Sequence, residues 1–279
     1  MIIILVILIG AVLLAHIISA CTWDRHIEYK TVPFHSEKIR AELDGYAIAF
    51  VTDTHNISAR RLEMAVTEIN KQPPDLLILG GDFSSRDKAM ERSIKILANV
   101  KTIDGIYGVE GTHDNYIKLF AAMKRCDMHP LSNSGVLLRR GFFLAGVEDV
   151  KNRRPDVKKA LERARRDDFT LLISHNPDVT MMQDTAPADL VLSGHIHGGH
   201  ITFFGIWAPA LTIYKNVTMY GSMFMKGWAT SRDGIPVYVS NGLGSFLFVP
   251  RIFARPQVVI IKLISGCGGD KKFNQRQAP

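Results

Sequence analysis

Cysteine is scarce: Cys21, Cys126 and Cys267 are the only three in 279 residues. They are too few and too scattered for a disulfide framework, and none forms a Cys-x-x-Cys pair for structural zinc. Charge is missing altogether from Ile2 to Ala20, where no Asp, Glu, Lys or Arg occurs. At ~1.5 Å rise per residue such a helix is about 28 Å long, close to the ~30 Å hydrocarbon thickness of a bilayer. An uncharged run of that length seldom belongs to a soluble core. Residues 1–23 therefore read as a membrane anchor. No Lys or Arg precedes the run, as the leading segment of a cleaved signal requires. Arg25 and Lys30 follow it instead. By the positive-inside tendency they place the rest of the chain in the cytoplasm, behind a single N-terminal span of a bacterial inner membrane. Ile18-Ser19-Ala20-Cys21 resembles a lipobox, which keeps a lipidated Cys21 as the alternative.

Acidic residues are outnumbered, 27 against 34 basic ones, giving a formal charge of +7. That balance favours anionic partners: phosphorylated substrates, acidic lipid headgroups or nucleic acid. Charge alone does not choose among them; no nucleic-acid partner is expected. Residues 24–44 read as a linker and 45–264 as one globular domain. The tail, 265–279, is polar and Gly/Lys-rich and reads as disordered.

Within the domain, Ala47–Thr52, Leu76–Leu79, Ile106–Val109, Phe169–Ile173 and Leu190–Leu192 are short apolar runs, as strands buried on both faces require. Between them, Ala59–Lys71 behind Ser58 and Arg86–Asn99 carry apolar residues at helical spacing. The alternation predicts an α/β fold. Closely spaced strands over 135–148 and 218–263 add a second mixed sheet.

Each of the five apolar runs ends in candidate ligands: Asp53-Thr54-His55, Gly81-Asp82, Gly111-Thr112-His113-Asp114, His175-Asn176 and Gly194-His195-Ile196-His197. Taken singly, an Asp-x-His loop is more often a turn and a lone His more often a packed core residue. Recurrence at the same structural place decides for function, because ligands bind beyond the carboxyl ends of strands in open α/β sheets. Carboxylates with neutral imidazoles suit borderline divalent metals, Mn²⁺ first, with Fe²⁺ or Zn²⁺ as alternatives. Two such ions ~3.5–4 Å apart can clamp the oxygens of an in-line phosphoryl displacement.

This order of motifs resembles the calcineurin-like metallophosphoesterases across about Gly45 to Leu263. Ser174-His175-Asn176-Pro177-Asp178 and Val239-Ser240-Asn241-Gly242-Leu243-Gly244 look like its bacterial membrane-associated branch. That branch includes cell-wall-associated phosphoesterases and a UDP-2,3-diacylglucosamine pyrophosphohydrolase. The resemblance implies a four-layer α/β/β/α sandwich, with Asp53, His55 and His197 on one metal. His175 and His195 would hold a second, and Asp82 would bridge the two. His113 would face the phosphate, with Asp114 orienting its ring. Where the family has Asn, this chain has Thr112, a shorter and poorer metal donor.

The implied reaction is hydrolysis of a phosphodiester or pyrophosphate bond in a membrane-associated, lipid-linked substrate. The alternatives are a general phosphodiesterase or monoesterase on soluble or cell-wall phosphates, and a degenerate member that binds without turnover. Asn241, Phe204, Trp207 and Phe224 are candidate substrate contacts. The apolar stretch from Phe203 to Trp228 either rims the site or packs as core. Lys151–Arg166 reads as one basic helix, either a solvated face or a dock for anionic lipid.

Overall fold

The computed structural model describes residues 2–55, 57–214, 217–245 and 250–266. Helix α1 (Ile2–Cys21) is long and apolar enough to cross a membrane. Strand β1 (Glu28–Ser36) follows it, then β2 (Ala47–Val51), α2 (Ala59–Ile69), β3 (Leu76–Leu79), α3 (Asp87–Leu97), β4 (Ile106–Gly108), α4 (Tyr116–Arg125) and β5 (His129–Pro130). The second half supplies β6 (Ser134–Arg139), β7 (Phe142–Gly146), α5 (Val157–Leu161), β8 (Phe169–Ile173), α6 (Val179–Met182) and β9 (Leu190–Ser193). It closes with α7 (Pro209–Ile213), β10 (Gly227–Thr230), β11 (Pro236–Val239) and β12 (Gln257–Ser265).

Two six-stranded mixed sheets result, in the orders β1-β12-β2-β3-β4-β5 and β10-β11-β9-β8-β7-β6. Strands β2 to β5 run parallel in the first sheet. In the second, β11, β9, β8 and β7 do so. Period-two alternation sorts their side chains into layers. Leu76 and Ile78 of β3 point into the core between the sheets, beside Phe142, Phe169 and Ile173. Leu77 and Leu79 point outward under α2, α3 and α4, against Leu62, Ile94 and Leu119. All four are fully buried, so the run contains no polar residue. On the far side Val157, Leu161, Val179 and Leu211 cover the second sheet. These are the four expected layers.

The local signals act as anticipated at α2, where the Ser58 hydroxyl accepts the Arg61 N–H at 3.3 Å and Leu62, Ala65, Val66 and Ile69 are buried. Three readings change. The expected linker supplies β1, which pairs with β12 in parallel from Glu28↔Gln257 to Ser36↔Ser265 and sends Val32 and Phe34 into the core. Pro33 is tolerated because β1 is an edge strand. The basic helix is confined to Val157–Leu161: Lys151 and Asn152 turn back to donate their N–H groups to the Asp149 carboxylate. In the expected disordered tail, Ser265 completes β12 and residues 267–279 lie outside the described residues.

Candidate metal centre

The carboxyl ends of β2, β3 and β4 in one sheet meet those of β7, β8 and β9 in the other. The loops beyond them turn sharply. Asp53, His55, Asp82, His195 and His197 all have positive φ, between 36° and 70°. Non-glycine residues rarely adopt that region, and clusters of them mark sites where the fold imposes strain for function. The loops also approach closely. A side chain at Gly111 would collide with the Asp82 backbone and carboxylate, and one at Gly198 would meet the Asn241 amide.

Six buried side chains converge into two groups, Asp53–His55–His197 and Asp82–His175–His195. Within each group the ligand-type atoms lie within 4.8 Å of one another. In the first, His197 Nε2 is 3.5 Å from Asp53 Oδ1 and 3.1 Å from His55 Nε2. In the second, His175 Nε2 is 3.2 Å from His195 Nδ1. The groups share a carboxylate: Asp82 Oδ2 lies 3.2 Å from His175 Nε2 and 3.5 Å from His55 Nε2.

Neighbours fix the rings. His175 Nδ1 donates to the Gly80 carbonyl at 2.7 Å, leaving Nε2 to face Asp82. His195 Nε2 donates to the Val217 carbonyl at 2.9 Å, leaving Nδ1 to face His175. The fully enclosed Arg251 guanidinium donates to the carbonyls of His197, Asn241 and Ala254 and contacts His197 Nδ1 at 3.1 Å.

Burial pushes His55 down to about 4 and His195 down to about 3, so both rings are neutral at physiological pH, as ligation requires. Burial would lower His175 too, but the Asp82 carboxylate outweighs it and holds that ring well above its ordinary value. Burial and the charge of Asp82 raise Asp53 to about 6, against the opposing pull of His175. Two buried carboxylates, four imidazoles and a shared oxygen form a donor set that suits a pair of borderline divalent cations.

The remaining expected residues fall around this cage. Thr112 directs its hydroxyl 3.5 Å from His195 Nδ1 and 3.2 Å from Asp149 Oδ1. His113 donates its backbone N–H to Asp82 Oδ1 at 2.7 Å, and its ring sits 5.7 Å from that of His55, centre to centre. The Asp114 carboxylate accepts the N–H groups of Asp82, Phe83, Ser84 and Gly111, which fixes the turn carrying Asp82. Asn241 is buried, its amide donating to the Arg255 carbonyl. Phe204 and Trp207 are exposed. Phe224 is not a surface contact: it is fully buried in the outer core of the second sheet with Ala208 and Leu211.

The sequence reading passed over Asp149, a fully buried acid three residues beyond β7. Its signal was the one used elsewhere, an acid just past an apolar strand.

Two such groups joined through one aspartate, at the seam of a four-layer sandwich, make a site able to hold a pair of metal ions. Residues 46–199 match the calcineurin-like phosphoesterase family, and the chain belongs to it. Similar proteins include an uncharacterized metallophosphoesterase of Helicobacter pylori, 27% identical over 84% of this chain and 63% of the relative. YkuE of Bacillus subtilis, also an uncharacterized metallophosphoesterase, is 24% identical over 87% of this chain and 89% of its own length. A Bos taurus transmembrane protein with metallophosphoesterase domain is 24% identical over 81% of this chain and 54% of the relative. The chain thus spans 63% of the Helicobacter relative and about half of the bovine one.

Proposed function

We propose that this chain is a membrane-anchored hydrolase that cleaves a phosphodiester or pyrophosphate bond in a lipid-linked substrate. One observation carries the membrane part of the reading. The Val217 carbonyl that orients His195 belongs to a segment whose neighbours Tyr214 and Met219 are exposed. Asp178, beyond β8, ties that segment down by accepting the Thr218 hydroxyl at 2.5 Å and the Met219 N–H at 2.9 Å. Exposed Tyr214 and Met219 therefore lie close in sequence to the residue that is hydrogen-bonded to a ligand of the cage, and α1 is long and apolar enough to cross a membrane. Both suit a substrate with one end in the bilayer.

Asp53, His55 and His197 would hold one cation and His175 and His195 the other, with Asp82 common to both. The ions, Mn²⁺ by preference and Fe²⁺ or Zn²⁺ otherwise, supply Lewis-acid polarisation of the phosphoryl group. His113, whose N–H is held by Asp82 and whose ring lies near that of His55, would stabilise developing charge on the phosphate or protonate the leaving oxygen. Asp114 keeps the Asp82 turn rigid, so that the shared oxygen is presented without reorganisation. The surplus of basic residues draws in the anionic substrate.

Among nucleotide-linked lipids, UDP-2,3-diacylglucosamine is the specific candidate. Purified enzyme with Mn²⁺ should release UMP from it faster than it hydrolyses a water-soluble chromogenic bis-phosphodiester. Soluble ester cleaved without UMP release would remove the lipid reading and favour the general phosphodiesterase. No turnover of either with any of the three metals would favour a binding-only protein, the reading that Thr112 in place of Asn supports.

A further inference from the structure

Helix α1 is joined to the domain along its last three turns. Val12, Ala15, His16, Ser19 and Ala20 are partly or fully buried, spaced i, i+3, i+4, i+7 and i+8, one face of a helix. Leu13, Leu14, Ile17 and Ile18, on the other faces, stay exposed. His16 makes the contact: its ring lies edge-on to Phe203, Phe204 and Phe253, with centroids 5.3, 5.0 and 5.1 Å away. Asp24 completes the join. Its carboxylate accepts the Phe253 N–H at 2.7 Å, the Ala254 N–H at 3.1 Å and the Ser19 hydroxyl at 2.5 Å. The anchor is clasped, with no free tether between it and the domain.

The clasp fixes a depth. The 20 residues of α1 make a helix of about 30 Å, all of which is needed to cross a ~30 Å hydrocarbon layer. His16 lies five residues before Cys21, about 7–8 Å inside the end of the helix. Whatever packs on His16 is carried to that level. The loop that does so is suited to it. Residues 201–214 contain no Asp, Glu, Lys or Arg. Phe204, Ile206, Trp207 and Ile213 are all exposed there, and Trp207 Nε1 already has a partner in the Thr212 hydroxyl at 2.9 Å.

We propose that the Phe203–Trp207 loop and α7 are immersed in the acyl–headgroup boundary of the bilayer, a second membrane contact held in place by His16 and Asp24. Amphipathic aromatics are favoured in that layer. The proposal rests on reading α1 as a membrane anchor, and goes beyond it in giving the domain a fixed attitude to the bilayer.

The test uses the full chain with Trp207 as its sole tryptophan (Trp23→Phe, Trp228→Phe), in phosphatidylcholine–phosphatidylglycerol vesicles. Lipids brominated near the glycerol end should quench its emission about twofold, and lipids brominated at the chain terminus less. A companion chain with only Trp228 (Trp23→Phe, Trp207→Phe), whose ring packs on Phe34 and Tyr238, should stay unquenched. If the protein floats with the vesicles but Trp207 is quenched no more than Trp228, the immersed loop is overturned and the anchor stands. If it fails to float, both fall.

Discussion

Asp82→Asn isolates the charge that the two halves of the site share. The amide keeps an oxygen where Oδ1 accepts the His113 N–H, so the β3 turn is retained and one negative charge is lost. Unit charges at the 3.2 Å separation of Asp82 Oδ2 and His175 Nε2 interact by about 5 kcal/mol at an effective dielectric of about 20. A carboxylate shared between two dications acts on both. Even about a quarter of that energy, ~1.4 kcal/mol, is tenfold in binding. The expected result is a fall in Mn²⁺ affinity of at least ~10-fold at each group, and a loss of hydrolysis of about 1000-fold. Calorimetric titration of the chelated protein reads the affinity, elemental analysis reads the stoichiometry, and the chromogenic phosphodiester reads turnover. A variant with two tightly bound ions, or near wild-type turnover, would refute the shared-carboxylate reasoning.

Thr112→Asn, which brings an amide carbonyl toward the group that the Thr112 hydroxyl only approaches, should tighten the weaker of two Mn²⁺-binding steps by about tenfold; an unchanged titration would show that Thr112 does not limit that site. His175 holds its proton above the ordinary range and must surrender it to a cation, so Mn²⁺ loading should release protons and strengthen as pH rises. Titrations in buffers of different ionisation enthalpy read that release. The protons of His55 and His195 should compete only in acid, since these rings titrate at about 4 and about 3. Leu77→Ala, beneath α2 and α3, should cost about 2–5 kcal/mol in denaturant unfolding while the metal stoichiometry is kept.

What the sequence made legible was whatever is local. Leu76–Leu79 declares itself by lacking any polar residue, and Gly-Gly-Asp declares the turn that follows. The candidate ligands could be located because they sit just past such runs; the resemblance to the calcineurin-like family singled out six of them, and those six lie together in the two groups. Pairing between distant segments carries no such mark. β1 meets β12 across some 229 positions, and its alternation of Lys30 and Thr31 with Val32 and Phe34 around Pro33 looks like a linker until the partner strand is present. The apolar stretch after His200 was ambiguous for the same reason. Phe224 and Met225 close the outer core, whereas Phe204, Ile206 and Trp207 face outward. Hydrophobicity alone cannot distinguish a residue that seals a protein from one that seeks another apolar phase.

The pairing of β1 also decides how the molecule would bear load. The strand begins just after the anchor and runs alongside β12 for nine positions, pointing the same way. Once the clasp at His16 and Asp24 has yielded, tension between a fixed helix and a body dragged through viscous surroundings would pull β1 lengthwise against its neighbour. All the rungs of the ladder then resist together instead of opening one by one, so the attachment is strongest along the direction in which it would be pulled.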